Sequence, residues 1–127
     1  MAVLDHVASI LIVEDDEILG LMMASIVADA GLEPIGPHAS PIFALDAMAR
    51  QPIDAALLDL NLGEWGDSYP VATELRRRSV PFIFLTGHSS AVINQAFKEV
   101  PVLRKPVKEG ALREAISLLL TAKRSVI

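Results

Sequence analysis

The chain has 127 residues, the size of one compact domain and too short for two sizeable ones. Half of it is apolar and a fifth is charged, so it can bury a core in water. A net charge of −5 excludes the basic footprint by which proteins grip nucleic acid, and the absence of cysteine excludes disulfides, thiolate metal sites and a cysteine nucleophile.

Strand and helix patterns alternate from end to end. Ile10 to Val13 is a short, continuous apolar run of the kind a strand covered on both faces needs. A helix follows from about Asp16 to Ala30, acidic in its first turn and stopped by Gly31. Leu32 to Pro37 can form a second strand, which Pro34 and Pro37 confine to an edge or to a short length. Ser40 and Pro41 read as N-cap and first residue of a helix reaching about Arg50. The run Ala55 to Leu58 is a third strand that ends in Asp59, and a loop from Asn61 to Tyr69 leads to a helix from Pro70 to Arg78. Phe82 to Leu85 is the fourth strand, ending at Thr86-Gly87. A weaker helical stretch over Ala91 to Phe97 precedes a short strand at Val102 to Arg104, and a last amphipathic helix runs from about Lys108 to Ala122.

Five such pairs predict an α/β fold, a five-stranded doubly wound parallel sheet with helices on both faces, as a single domain over 1–127 with its core at about 9–122. The apolar stretch Val7 to Val13 is too short for a bilayer and has no basic flank, so the expectation is a cytoplasmic protein with no membrane partner.

In open parallel sheets the functional crevice lies beyond the carboxyl ends of the strands. Those ends carry Glu14 and Asp15, then Asp59, Thr86 and Lys105. Each alone has a dull explanation, such as a helix's acidic first turn or a surface lysine. Their joint placement does not, because three close carboxylates repel unless a cation joins them. Hard oxygen ligands suit Mg²⁺. Asp15 and Asp59 are the candidate ligands, Asn61 can add its backbone carbonyl, and Glu14 can orient a metal-bound water. Asp59 is then the nucleophile in phosphoryl transfer, with Thr86 and Lys105 as donors to the phosphoryl oxygens.

Val13-Glu14-Asp15-Asp16, Leu57-Leu58-Asp59-Leu60, Thr86-Gly87 and Lys105-Pro106 together resemble the receiver domain of bacterial response regulators, in the right order over essentially the whole chain. That resemblance implies a flavodoxin-like fold of the receiver type. It implies Mg²⁺-dependent phosphorylation of Asp59 by a histidine kinase or a histidine phosphotransfer protein, and a conformational switch that regulates a downstream protein. It also implies a cis Lys105-Pro106 peptide, a monomer or weak homodimer, and no enzymatic activity beyond the domain's own phosphorylation and dephosphorylation. Pro81-Phe82-Ile83-Phe84-Leu85-Thr86-Gly87 is similar to a subgroup with a PFxFxTG fourth strand, often free-standing and served by HWE-type histidine kinases.

The chain departs from that pattern in three places. Val102 replaces an aromatic residue three positions before the lysine, Leu62-Gly63 stands where many members have proline, and only 18 residues separate Thr86 from Lys105, which shortens the fourth helix. Helix one is apolar most of the way round, and Leu19, Met22 or Met23 is expected to form a docking patch for the phosphoryl donor. Arg76-Arg77-Arg78 reads as a helix C-terminus facing water, and His88 as a loop residue near the acceptor. Two other readings fit less well. A Mg²⁺-dependent aspartyl-phosphate phosphohydrolase needs a second acid where Asn61 stands and a cap domain; a non-phosphorylated pseudo-receiver has no need of all five site positions.

Overall fold

The computed structural model describes residues 7–87 and 93–125, the last three by backbone alone. Strand β1 (Ser9–Val13) leads into α1 (Glu17–Asp29), then β2 (Glu33–His38), α2 (Pro41–Arg50), β3 (Ala55–Asp59), α3 (Tyr69–Arg77), β4 (Phe82–Thr86), β5 (Val102–Arg104) and α4 (Glu109–Ser125). The strands form one parallel sheet in the order β2-β1-β3-β4-β5. Among the described residues no helix is long and apolar enough to cross a membrane.

Strand alternation divides the core in two. Leu11, Val13, Ala56, Leu58, Phe82 and Phe84 face α2 and α3, which contribute Ala44, Met48, Val71 and Leu75. Ile10, Ile12, Leu57, Ile83 and Leu85 face α1 and α4, which contribute Met23, Ile26, Leu112 and Ile116. Central strands buried on both faces explain the unbroken apolar runs in the sequence.

Local chemistry sets the element ends. The Asp16 side chain accepts the Leu19 N–H at 3.0 Å and caps α1; Ser40 accepts the Phe43 N–H at 3.3 Å and caps α2, with Pro41 in its first turn. Both helices therefore start where their capping residues predict. Of the helix expected over 91–97, the described part, 93–97, holds a single 3₁₀ turn, Gln95–Phe97; residues 88–92, His88 among them, lie outside the described residues.

Strand β2 lies at the sheet edge, where its two prolines leave no ladder donor missing from the interior. Its register slips between Leu11 and Val13, and Gly36 sits at that slip with φ +106°. A Cβ there would lie 2.7 Å from the Ile12 carbonyl oxygen and 2.8 Å from the His38 nitrogen. The slip brings the His38 carbonyl to the Glu14 N–H at 3.0 Å, so it bears on the end of β1. The peptides Gly36-Pro37 and Lys105-Pro106 are cis, the second as the family pattern implies.

Gly36→Ala is expected to cost about 3 kcal/mol or more, backbone strain and overpacking combined. Gly31→Ala, at φ +81° with open space around it, should cost only about 1–2 kcal/mol. Urea unfolding of the two variants against wild type checks the difference.

Candidate functional site

Four chain segments meet at the carboxyl edge of the sheet. The residues after β1 supply Glu14, Asp15 and Asp16; β3 ends in Asp59 and continues to Asn61 and Gly63; β4 ends in Thr86 and Gly87; Lys105 follows β5. Together they line one open cleft of about 340 Å³. All six residues singled out in the sequence (Glu14, Asp15, Asp59, Asn61, Thr86 and Lys105) are in it. Asp16, Gly63 and Gly87 were not singled out for it; a backbone lining and a helix cap carry no side-chain signature of a site.

The Lys105 ammonium lies 2.9 Å from Asp59 Oδ2, 3.1 Å from Glu14 Oε1 and 3.3 Å from Glu14 Oε2. Its backbone N–H donates to the Thr86 carbonyl at 2.8 Å, which ties the lysine's base to β4. The Asn61 N–H donates to Asp59 Oδ1 at 3.2 Å, and the Gly63 N–H to Asn61 Oδ1 at 2.9 Å. Glu14 and Asp59 are 2 % and 4 % exposed, whereas Asp15 is open to solvent. Thr86 is buried at its strand end.

Burial beside a second carboxylate disturbs the titration of Glu14. Burial, reinforced by the neighbouring Asp59, pushes the Glu14 carboxyl up to about 7, while the Asp16 N–H and Lys105 pull the other way. Burial works against the Lys105 charge as well, but the hydrogen bonds it donates to Asp59 and Glu14 outweigh that and raise the ammonium above its ordinary value.

A divalent cation fits this donor set. Glu14, Asp15 and Asp59 each offer a carboxylate oxygen, all within 4.8 Å of one another, and buried Glu14 Oε1 has no aligned hydrogen-bond donor of its own. A side chain at Gly63, which has φ +63°, would begin 3.1 Å from Asp15 Oδ2, so its absence leaves that carboxylate room.

Two features depart from the expectations, and a third, at Val102, accords with them. Met23 is fully buried in the core and Leu19 packs against it, so neither belongs to an exposed patch; the residues of α1 that do face solvent are Ile18, Leu21 and Met22. The three arginines are not free in water: Arg77 and Arg78 clasp Glu74, and Arg76 bonds the Ala96 carbonyl and Glu99. Val102 pairs with Phe84 in the sheet and is partly exposed, so no aromatic ring occupies that place.

The family model of the response regulator receiver domain matches residues 10–117. No curated protein matches in sequence. Among solved structures, SdrG from Sphingomonas melonis Fr1 is 35% identical over 90% of this chain and 97% of its own, with a TM-score of 0.78. The BeF3-activated conformation of SdrG from Pseudomonas melonis Fr1 is 34% identical over 92% and 99%, with a TM-score of 0.74. A response regulator receiver protein from Sinorhizobium medicae is 25% identical over 93% and 98%, with a TM-score of 0.79.

The raised Glu14 value makes a prediction about pH. Between about 4.5 and 7 the folded protein binds a proton that the unfolded chain releases, so without metal its stability should fall as pH rises through that window, by on the order of 3 kcal/mol. Glu14→Gln should flatten the slope. Urea titrations at pH 4.5 to 8 in chelator measure both.

Proposed function

We propose that this chain, which belongs to the response regulator receiver domain family, accepts a phosphoryl group on Asp59 from a histidine kinase or phosphotransfer protein. The observation that carries the reading is Asp59 itself: a nearly buried carboxylate at a strand end, 2.9 Å from an ammonium and beside two further acids.

The chemistry follows from those neighbours. An Asp59 oxygen attacks phosphorus; the new O–P bond forms as the bond to the donor's histidine nitrogen breaks, and that nitrogen leaves with its electron pair. Lys105, already bonded to Asp59, neutralises charge on the phosphoryl oxygens, and Thr86 offers its hydroxyl to them from the neighbouring strand. Asp15, Asp59 and the Asn61 carbonyl would hold Mg²⁺, with Glu14 orienting its water shell. Held there, the ion would supply positive charge to offset the negative charge of the incoming group. Lys105 alone cannot do this, since it is already shared by two carboxylates.

The donor must dock beside this cleft, and α1 presents the surface for it. Ile18 is 82 % exposed and Met22 41 %, on the helix that begins directly after Asp15 and Asp16. A histidine kinase of the HWE type is the donor this reading favours, acting in the cytoplasm on a switch that regulates a second protein.

Incubation with Mg²⁺ and acetyl phosphate should add one phosphoryl group to the wild type and none to Asp59→Ala, by intact mass. Equal modification of both would overturn the assignment. Ile18→Ser with Met22→Ser should slow transfer from a phosphorylated kinase about tenfold or more, as loss of two interface anchors does, and leave acetyl phosphate labelling unchanged.

A further inference from the structure

The acceptor loop and the connector between β4 and β5 are joined by one side chain. Asn61, whose N–H rests on Asp59 Oδ1, pairs with Asp67 across the loop. Asp67 Oδ1 accepts the N–H of Tyr69 at 3.0 Å, the first residue of α3. The Tyr69 hydroxyl, at the far end of that side chain, accepts the N–H of Asn94 at 2.8 Å. Its ring stacks on Phe97, with centroids 5.5 Å apart and planes at 15°, and meets Phe84 edge-on at 5.8 Å. Phe84 lies two residues before Thr86 on β4.

Among the described residues of the connector, Phe97 is buried in the core and Ile93 and Val100 pack against it. The connector contains no described helix longer than the turn Gln95–Phe97, and Phe97 is its buried anchor. Beyond Tyr69, α3 grips it through Arg76, which bonds the Ala96 carbonyl and Glu99 and lies 4.4 Å over the Phe97 ring. Any displacement at the start of α3 is therefore delivered to residues 94–99.

We propose that Tyr69 is the positioning residue that transmits the state of Asp59 to the connector, in place of an aromatic residue on β5. This rests on the reading of Asp59 as phosphoacceptor. A phosphoryl group changes the charge and shape of the carboxylate on which the Asn61 N–H rests. The loop between them is short and bonded to itself, by Leu62 N–H to the Gly66 carbonyl at 2.7 Å and Ser68 N–H to the Leu60 carbonyl at 3.2 Å. It moves as a unit, and Tyr69 moves with it. Contiguous, hydrogen-bonded elements with two arrangements are what carries coupling between sites.

The test is amide exchange and ¹H–¹⁵N spectra of wild type and Tyr69→Phe, each with and without beryllofluoride and Mg²⁺. Phenylalanine keeps the ring and its stack and removes only the hydroxyl, so the fold is retained. In the wild type, beryllofluoride should shift Asn61 and Gly63 and change exchange at Ala96 and Phe97 by about threefold or more, a local opening equilibrium displaced by ligand. In Tyr69→Phe the shifts at Asn61 and Gly63 should persist and the change at Ala96 and Phe97 should fall to less than half. A purely structural tyrosine would speed resting exchange yet leave the ligand-induced change intact, and that result overturns the proposal. So does a wild type that responds at Asn61 but not at Phe97. A wild type with no response even at Asn61 and Gly63, and no mass gain from acetyl phosphate, removes the phosphoacceptor reading and the relay with it.

Discussion

Lys105 reaches from the end of β5 past β4 to Asp59 and Glu14, and its single positive charge is set against three carboxylates. At an effective dielectric near 20, two like charges about 4 Å apart repel by about 4 kcal/mol. One ammonium offsets part of that and cannot offset it all. Glu14, the most enclosed of the three, is pushed up to about 7, first by its burial and then by its contact with Asp59. Asp15, the third member of the cluster, lies open to solvent. The cleft is thus short of positive charge, a shortage that the carboxylates' donor set would let a divalent cation fill.

Sheet order makes the shortage possible. β1 and β3 are adjacent central strands, so Glu14 and Asp59 stand side by side with apolar residues below them on both faces. An edge strand would have let either acid turn away to water. The edge positions go instead to β2, which carries two prolines, and to three-residue β5, whose role is to deliver Lys105. Even the irregular edge contributes, since the slip at Gly36 sets the His38 carbonyl against the Glu14 N–H.

Much of this was legible in the sequence, for identifiable reasons. Continuous apolar runs located the strands, and the acidic first turn from about Asp16 and the cap at Ser40 located two helix starts, because both signals are local. The site residues were legible because strand ends are legible. What escaped depended on tertiary contact. In an almost wholly apolar helix no periodicity separates Met22 from Met23, yet one faces water and the other the core. Arg76 reads as a helix-terminal charge until Phe97, Ala96 and Glu99 are seen to lie against it. The connector over 93–100 has weak helical propensity and takes its described shape from α3.

That last point bears on where the aromatic residues are. Of six in the chain, Tyr69, Phe82, Phe84 and Phe97 form one connected cluster, with centroid separations of 5.5–6.1 Å. Phe82 and Phe84 are two apart on β4 and so point to one face, while the opposite face of the sheet is packed without aromatic rings. Each such pair is worth about 0.5–1.5 kcal/mol beyond its burial, enough to hold a connector that forms little regular structure of its own. Position 102 pairs with Phe84 of this cluster across β4 and β5. With Val102 there, the rings that touch the Thr86-bearing strand, the acceptor loop's helix and the connector are the same rings. Packing and communication then fall to one set of contacts, and a change in the loop after Asp59 cannot reach α3 without disturbing them.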